Sequence, residues 1–420
     1  MGVLSPGAMA RLTAWPVVLL AAGVLVGYHL WMVGAETVHP LTNALDAYAG
    51  GILVLPVVAG GACVAAHRLA GGGAFQRPRS AGRQAGQSVI AVLPAAIAGA
   101  TTLGVGALAQ MARAGHVAGI PLWLVATMLL APLAAALCGA LFGRVLPLFI
   151  ALPIALTVVY LAVGAFSSMD NGPLRLMMAP PVSCCVSQTE PAGGASLGQV
   201  MALSGLVLAL AAVWCAAGLR RASLLTALAM AAGAAGTWIA GWQAAAGAPD
   251  HGLTLRAPSG GCEAVADTGR AGPSVVSLCL WPENEPRRQA IAEQLARLAD
   301  VARRHDLPFP GEVTEYAGTS GRVVALDGSE DQHWRGSLLF SVAEAPRCGH
   351  DQVLPGSGDE AVAGPQDAEA RMALDAASVE WWEVQLGRRP ALSGEVARLL
   401  GDDLEEQQQT LREHLAEPAC

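Results

Sequence analysis

Residues 145–166, VLPLFIALPIALTVVYLAVGAF, decide the fold because none of them is charged and most are apolar. A helix needs about 20 such residues to cross the hydrocarbon core of a bilayer, so the stretch predicts a membrane span. Six other uncharged runs of similar length flank it, and together they predict a seven-span helical domain: 12–33, 47–66, 89–112, 117–142, 145–166, 198–219 and 222–246. The last run is rich in Ala and Gly, which insert less readily than Leu or Ile, so its crossing is left open.

Charge divides the chain near residue 250. Residues 1–249 hold ten arginines and four acids, whereas residues 250–420 hold 15 arginines and 29 acids. The shift predicts two domains: a transmembrane helical domain over 1–249 and a small α+β domain over 250–420. The acidic domain has no basic stripe, which argues against a nucleic-acid partner.

The chain contains no lysine, and all 25 of its basic residues are arginine. A P-loop needs a lysine on the β- and γ-phosphates, so this chain cannot be a Walker-type ATPase by itself. Schiff-base chemistry also needs a lysine. The sequence has no H-E-x-x-H or C-x-x-C motif, and Ser320 has no identifiable histidine partner. We therefore predict no enzyme, and no catalytic, cofactor-binding or metal-binding residue.

Arginine placement predicts the orientation of the spans. The loop 67–88, called the arginine loop below, holds Arg68, Arg77, Arg79 and Arg83 and should be cytoplasmic, whereas residues 34–46 hold no arginine. The N-terminus is then inside, and seven spans place the C-terminal domain outside the cytoplasm. The arginine loop either docks a cytoplasmic partner or simply obeys the positive-inside rule.

The cysteines agree with this orientation. Six of the nine fall on the predicted outer side: Cys184, Cys185, Cys262, Cys279, Cys348 and Cys420. Disulfides form in oxidising compartments, so these residues are disulfide candidates, with six unrelated thiols as the alternative. Cys262 lies in a Gly-rich loop before the strand that holds Cys279, which favours that bridge. The remaining pairing is not derivable from the sequence, and Cys348 with Cys420 is one candidate.

No acid or arginine lies inside a predicted span. His29 is the one titratable candidate, and Gln110 and Gln243 are polar but neutral. Coupled-ion transporters usually carry an ionisable group near the midplane, so ion-driven transport is disfavoured. The outer loop 167–197 is either a re-entrant or interfacial element or a disordered loop.

The acidic half predicts an α+β domain. Its apolar runs predict strands at 274–281, 312–316, 323–326 and 337–342, and its helical periodicity predicts helices at 282–304, 369–386 and 393–415. Ser393 is the expected N-cap of the last helix. For Trp381 and Trp382 we expect one buried and one interfacial ring, beside a solvated face with Glu380 and Glu383.

Two stretches carry a resemblance. CEAVADTGRAGPSVVSLCLWPENEPRRQAIAEQLARL (residues 262–298) resembles the cysteine-bracketed opening of an extracytoplasmic domain, and VARLLGDDLEEQQQTLREHL (residues 396–415) resembles its closing helix. Such domains are appended to permease-like membrane subunits of actinobacterial ABC exporter systems, which the membrane half also resembles in size. The resemblance implies a translocation subunit, working as a homo- or hetero-dimer, with a separate ATPase docked on the arginine loop.

Three functional hypotheses follow. The first is a permease subunit, powered by the separate ATPase, that exports a small hydrophobic or peptide-like compound. The second is a non-transporting membrane protein whose outer domain binds a ligand or partner at the cell surface. The third, an enzyme with an outer active site, comes last because no constellation of residues supports it.

Overall fold

The protein is described from a computed structural model. It describes residues 16–25, 27–28, 40–71, 81–113, 120–169, 172–179, 189–216, 221–249, 252–256, 261–265, 276–316, 322–324, 326, 331–343, 365–401 and 403–416. Several predictions fall outside these residues: those on His29, Arg77, Arg79, Cys184, Cys185, Ser320, Cys348 and Cys420. The chain forms two compact units. The first takes in the described residues of 1–35, 40–183 and 191–254, and the second those of 184–190 and 255–420.

Helices make up nearly all of the first unit. In chain order they are α1 (Pro16–Leu25), α2 (Pro40–Ala49), α3 (Gly51–Gly71), α4 (Ala81–Arg113), α5 (Leu122–Val145), α6 (Leu148–Ser167), α7 (Pro173–Met178), α8 (Gly193–Ala216) and α9 (Arg221–Ala246). Two short strands lie where the chain passes from one unit to the other: β1 (Thr189–Pro191) and β2 (Leu253–Leu255).

Six of these helices, within the described residues, have the length and apolar composition of membrane spans: α3, α4, α5, α6, α8 and α9. They correspond to the last six predicted runs, and the stretch of α9 with span-like composition is the 22 residues from Leu225 to Ala246. Only part of the first predicted run is described, as the ten-residue helix α1 and residues 27–28. The first unit therefore has the architecture of a helical membrane domain, and the number of crossings stays a prediction.

Two segments outside the six span-length helices contain short helices. Residues 40–49 form α2, which starts at Pro40, where the fixed φ of proline suits a first helical turn. In the segment 167–197, α7 buries Leu176 and Met177 against residues of α8 and α9. Residues 173–178 are thus an ordered part of the bundle.

Helices α3 and α5 approach each other closely because α5 has glycines at positions 139 and 143. A Cβ atom on Gly139 would collide with the carbonyl oxygen of Ala59, and one on Gly143 with that of Cys63. Both pairs are spaced by four residues, so they lie along one face of each helix. In membranes, small residues at this spacing allow backbones to pack at short range. Only glycine fits at these two positions of α5.

Helices α8 and α9 form a hairpin through a similar seam. A Cβ on Gly198 would lie 3.0 Å from the carbonyl oxygen of Gly241, and a Cβ on Gly241 the same distance from that of Gly198. At the other end of α8, Arg144 of α5 donates to the carbonyl oxygen of Trp214 at 3.3 Å, and its guanidinium lies 4.9 Å from the Trp214 ring centroid. The hairpin is thus attached to α5.

The outer surfaces of α6 and α9 are apolar. Only 17% of the most apolar window of each helix is buried, and Phe149 on α6 is 79% exposed. An apolar surface of this size is abnormal for a protein in water and is the expected surface for contact with lipid. The two helices therefore provide lipid-facing or partner-facing surfaces.

The second unit is built on a four-stranded sheet in the order β3-β4-β5-β6, with β3 at Cys262–Val265, β4 at Val276–Cys279, β5 at Glu312–Thr314 and β6 at Arg322–Val323. β3 is antiparallel to β4, and β4, β5 and β6 are parallel. Cys262 and Cys279 are opposite each other in register and form a disulfide. A 3-10 turn (Glu285–Arg287) and α10 (Arg288–Arg304) connect β4 to β5.

Four further helices follow the sheet: α11 (Asp331–Ala343), α12 (Pro365–Gln385), α13 (Gly394–Leu400) and α14 (Leu404–Ala416). The predicted amphipathic helix at 282–304 is confirmed over α10, whose buried face includes Ile291, Leu295 and Leu298. That face packs in a core with the fully buried rings of Trp334, Trp381 and Trp382.

The structure corrects three expectations for this unit. The run 337–342 is helical in α11, because Trp334, Leu338 and Val342 are buried at a spacing of four residues. Both Trp381 and Trp382 are buried, so neither ring is interfacial. The single helix predicted over 393–415 is two helices, since Gly401 adopts φ +119° between them.

Two further predictions concern the N-cap at Ser393 and the face of α12 that holds Glu380 and Glu383. Ser393 caps α13 as predicted, by accepting a hydrogen bond from the Val396 amide. The prediction that Glu380 and Glu383 of α12 point freely into solvent is wrong, because both form salt bridges with Arg389.

Leucine substitution tests the seam between α3 and α5. Gly139→Leu with Gly143→Leu should lower the free energy of unfolding by at least about 3 kcal/mol, because the colliding atoms are backbone atoms that cannot rotate away. The thermal unfolding midpoint of the purified chain in detergent measures the effect. Gly104→Leu is the matched control, since a Cβ there meets no atom within 4 Å. Equal losses in the two variants would contradict the assignment.

Candidate functional site

The first unit contains a cavity of about 550 Å³ between its helices. Side chains of α2, α3, α5, α6, α7, α8 and α9 line it, so it lies between the α3–α5–α6 bundle and the α8–α9 hairpin. The residues used below are Tyr48, Ala131, Ala134, Ala135, Cys138, Ala162, Met178, Leu203, Leu206, Leu210 and Trp238. Sites for small organic ligands typically measure about 300–1,000 Å³, so the cavity is large enough for one.

The lining of this cavity is almost entirely apolar. Among the described residues that line it none is charged, and the polar groups are the Tyr48 hydroxyl, the Cys138 thiol and the Trp238 indole. The Tyr48 hydroxyl is hydrogen-bonded to Thr127. A charged ligand would lose its hydration here without gaining a counter-ion, which costs several kcal/mol or more. The cavity therefore suits an uncharged and largely apolar compound.

Small residues on one face of α5 create the space. Ala131, Ala134, Ala135 and Cys138 line the cavity at the i, i+3, i+4, i+7 spacing of a helical face. The adjacent face of α5 is held against α3 by its two glycines, so α5 cannot move inward to fill the gap. Across the cavity, Leu203, Leu206 and Leu210 of α8 form the opposing wall.

A second cleft of about 510 Å³ opens beside the first and shares one lining residue, Ile52, with it. Val24, Gly27, Tyr28, Leu53 and Tyr160 complete its lining. Tyr160 is 48% exposed, so this cleft lies on the apolar outer surface of the unit. It has the character of a lipid-facing groove, and the larger cavity is the better ligand site.

The structure describes the arginine loop only in part. Arg68 is exposed in the last turn of α3, and Arg83 belongs to the first turn of α4, where its side chain lies outside the described part of the chain. Arg77 and Arg79 also lie outside it. Two of the four predicted contact residues thus fall on helices that flank the loop, and docking of an ATPase there stays a prediction.

A buried polar cluster lies in the second unit at the carboxyl ends of the parallel strands β4 and β5. The Glu315 carboxylate accepts hydrogen bonds from the Trp281 amide at 2.7 Å and the Asn284 side-chain amide at 2.6 Å. Arg256 pairs with Glu283 at 2.6 Å, and its guanidinium lies 4.1 Å from the Trp281 ring centroid. Ligands commonly bind at this edge of parallel sheets.

Three buried atoms of this cluster have no hydrogen-bond partner among the described residues: Nη1 of Arg256, Nε1 of Trp281 and Oδ1 of Asn284. A buried polar atom without a partner costs about 1–3 kcal/mol. Two of the three atoms are donors, so the cluster offers hydrogen bonds to a group that accepts them.

Next to this cluster, an ion pair fixes the start of α10. The Glu285 carboxylate accepts from Arg288 at 2.7 and 2.8 Å, and the Arg288 hydrogen bond lowers the pKa of Glu285 below its ordinary value. Arg288 also donates to the carbonyl oxygen of Leu278 in β4 at 3.1 Å. Since the two side chains hold each other charged, this pair positions α10 on the sheet and needs no proton transfer.

Sequence reasoning missed the cavity, although two signals for it are present. The small residues of α5 and the leucines of α8 each recur at helical spacing, but a uniformly apolar helix does not reveal which face meets a partner. It also missed Gln199, a buried glutamine in α8, while it considered Gln110 and Gln243.

In the part of the chain that the structure describes, no three His, Cys, Asp or Glu residues are grouped so that they could hold a metal ion.

The fold and the cavity define a class: a multi-pass helical membrane domain with an internal apolar cavity, followed by a disulfide-containing α+β unit. No protein-family model matches the chain, and neither a curated protein nor a solved structure matches it. The geometry and the composition therefore carry the functional argument.

Filling the cavity tests its use as a binding site. Ala162→Trp should reduce photolabelling by 4-methylbenzophenone, an uncharged apolar probe, by at least about tenfold, because the indole occupies the cavity. Labelling is measured by peptide mapping of the full chain in lipid nanodiscs. Ala165→Trp is the matched control, since Ala165 is also exposed on α6 but does not line the cavity. Equal labelling of the two variants would contradict the assignment.

Proposed function

We propose that the chain is the permease-like membrane subunit of an ATP-driven transporter, which a separate ATPase powers. Its cargo is a small hydrophobic or peptide-like compound, and the direction is export. The observation that carries the proposal is the apolar cavity of about 550 Å³ between the α3–α5–α6 bundle and the α8–α9 hairpin. A cavity at a junction between two helix groups can change its access when the groups move against each other.

The source of energy follows from the composition. The chain has no lysine and so no P-loop, which supports ATP hydrolysis by a partner. The described lining of the cavity has no acid or arginine, which disfavours coupling to an ion gradient. We infer that ATP-driven work reaches this chain through the arginine loop, where Arg68, Arg77, Arg79 and Arg83 cluster.

The orientation in this proposal places the arginine loop in the cytoplasm and the second unit outside it. The positive-inside rule supports the first part. The Cys262–Cys279 disulfide supports the second, since disulfides persist in oxidising compartments and are rare in the cytosol. In this orientation the exposed faces of α6 and α9 contact lipid or a second membrane subunit.

A second candidate function is favoured by the polar cluster of the second unit. The buried donors of Arg256 and Trp281 suit an acceptor-bearing ligand or partner. In this alternative the chain does not transport, and its membrane unit serves to hold the second unit at the cell surface. An ATPase partner distinguishes the two functions, because only the first requires one.

Affinity purification of the full chain from its source cells in mild detergent should recover an ATPase with a P-loop. Arg77→Gln with Arg79→Gln should reduce that recovery by about tenfold or more, because rim charges steer and hold a partner. The amount of ATPase per membrane subunit is measured by quantitative mass spectrometry.

The control for this experiment is Arg220→Gln with Arg221→Gln, which removes the same charge from another loop predicted to be cytoplasmic. It should leave recovery of the ATPase unchanged. Purification of the wild-type chain without any ATPase would overturn the transporter proposal in favour of the second candidate.

A further inference from the structure

A buried glutamine of α8 has no hydrogen-bond partner in the part of the chain that the structure describes. Gln199 is 1% exposed, and both its Oε1 and its Nε2 lack a partner among the described residues. Ser196, one turn earlier, is 5% exposed, and its hydroxyl oxygen lacks one as well. Native proteins pair the large majority of their buried polar side-chain atoms, so a carboxamide with two unsatisfied atoms requires an explanation.

Gln199 shares a helix face with the cavity wall. Ser196, Gln199, Leu203, Leu206 and Leu210 follow one another at alternating steps of three and four residues. At 3.6 residues per turn these five positions fall within an arc of about 80°. The last three line the cavity, so Gln199 lies one turn beyond its lining on the same face.

The other neighbours of α8 do not use the carboxamide. Gly198, Gly205 and Gly241 bring the backbones of α8 and α9 together on a different face of α8. Ala195 and Ala202, about one turn before and after Gln199 in α8, belong to an apolar cluster with Leu176 and Met177 of α7. In such surroundings an apolar residue of the same length would be more stable than glutamine. Gln199 therefore lowers the stability of the ligand-free fold.

We propose that Gln199 is a specificity-determining residue of the cavity and that it recognises a secondary amide, such as a peptide bond, in an otherwise apolar ligand. The carboxamide has a donor in Nε2 for the ligand carbonyl and an acceptor in Oε1 for the ligand N–H, so one amide group satisfies both atoms. The side chain has three rotatable bonds and can turn towards the turn of Leu203 when a ligand enters. The Ser196 hydroxyl adds a second group at the same end.

This inference rests on the proposed binding function of the cavity and names the substrate class: uncharged, apolar molecules that contain an amide, such as blocked or cyclic hydrophobic peptides. A ligand with free charged termini is excluded, because the described lining has no counter-ion. A pure hydrocarbon is accepted but not preferred, since it leaves the carboxamide unsatisfied. Sites built to hydrogen-bond a ligand reject the analogue that lacks the group more strongly than apolar sites do.

Two photoprobes test the proposal with the full chain in lipid nanodiscs. The first is N-acetyl-4-benzoylphenylalanine methylamide, which carries two amides, and the second is 4-methylbenzophenone, which carries none. Gln199→Met should lower the apparent affinity for the amide probe by at least about tenfold, and labelling by 4-methylbenzophenone should stay within about twofold of wild type. The thermal midpoint of this variant should be equal to or above that of wild type, since an unsatisfied group is removed.

Gln243→Met is the matched control, because Gln243 is an exposed glutamine of the neighbouring span α9. It should change labelling by neither probe. Unchanged affinity of Gln199→Met for the amide probe overturns this inference and leaves the cavity proposal standing. Loss of both probes in Gln199→Met also overturns it, because the role of the residue is then structural. If 4-methylbenzophenone labels the Ala162→Trp variant as strongly as it labels wild type, the proposed binding function of the cavity fails.

Discussion

The close approach of α3 and α5 is the constraint on which the membrane unit depends. Gly139 and Gly143 allow α5 to rest directly on the backbone of α3 at Ala59 and Cys63. With no hydrophobic effect to drive helices together in lipid, such backbone contact supplies the packing energy that orients them. Because this seam fixes one face of α5, its neighbouring face of small residues cannot close, and the space in front of it becomes the cavity.

The sequence predicted the elements better than their contacts. An uncharged run of about 20 residues has few alternatives to a membrane helix, so six of the seven predicted runs correspond to helices with the length and apolar composition of a membrane span. Residues 337–342 were misread as a strand, because a short apolar run has no periodicity until Trp334 is included. The break at Gly401 and the burial of both Trp381 and Trp382 depend on tertiary packing. The position of the cavity and the burial of Gln199 depend on which helix faces meet. A nearly uniform apolar sequence does not indicate which faces these are.

Three physical properties of the chain support the proposed function. The chain has no lysine and hence no P-loop, so the proposed function needs a separate protein that hydrolyses ATP. The uncharged lining of the cavity suits a neutral apolar compound, and its place between two helix groups is compatible with the proposed change of access. Gln199 adds a polar recognition group at one end of an apolar wall, an arrangement typical of small-molecule sites, where few polar groups fix the orientation of a mostly apolar ligand. The polar cluster at Glu315 belongs to the other unit and carries a separate binding hypothesis.

The central claim is that the cavity between α5, α6 and α8 holds an uncharged apolar molecule. A cryo-electron microscopy map of the full chain in lipid nanodiscs, recorded with 4-iodobenzophenone bound, tests this most directly because iodine gives a strong local signal. The account predicts density for the iodine within contact distance of Ala134, Ala162 or Leu206. A map in which α5 and α8 are closed against each other at these residues, with the compound bound elsewhere, would contradict it.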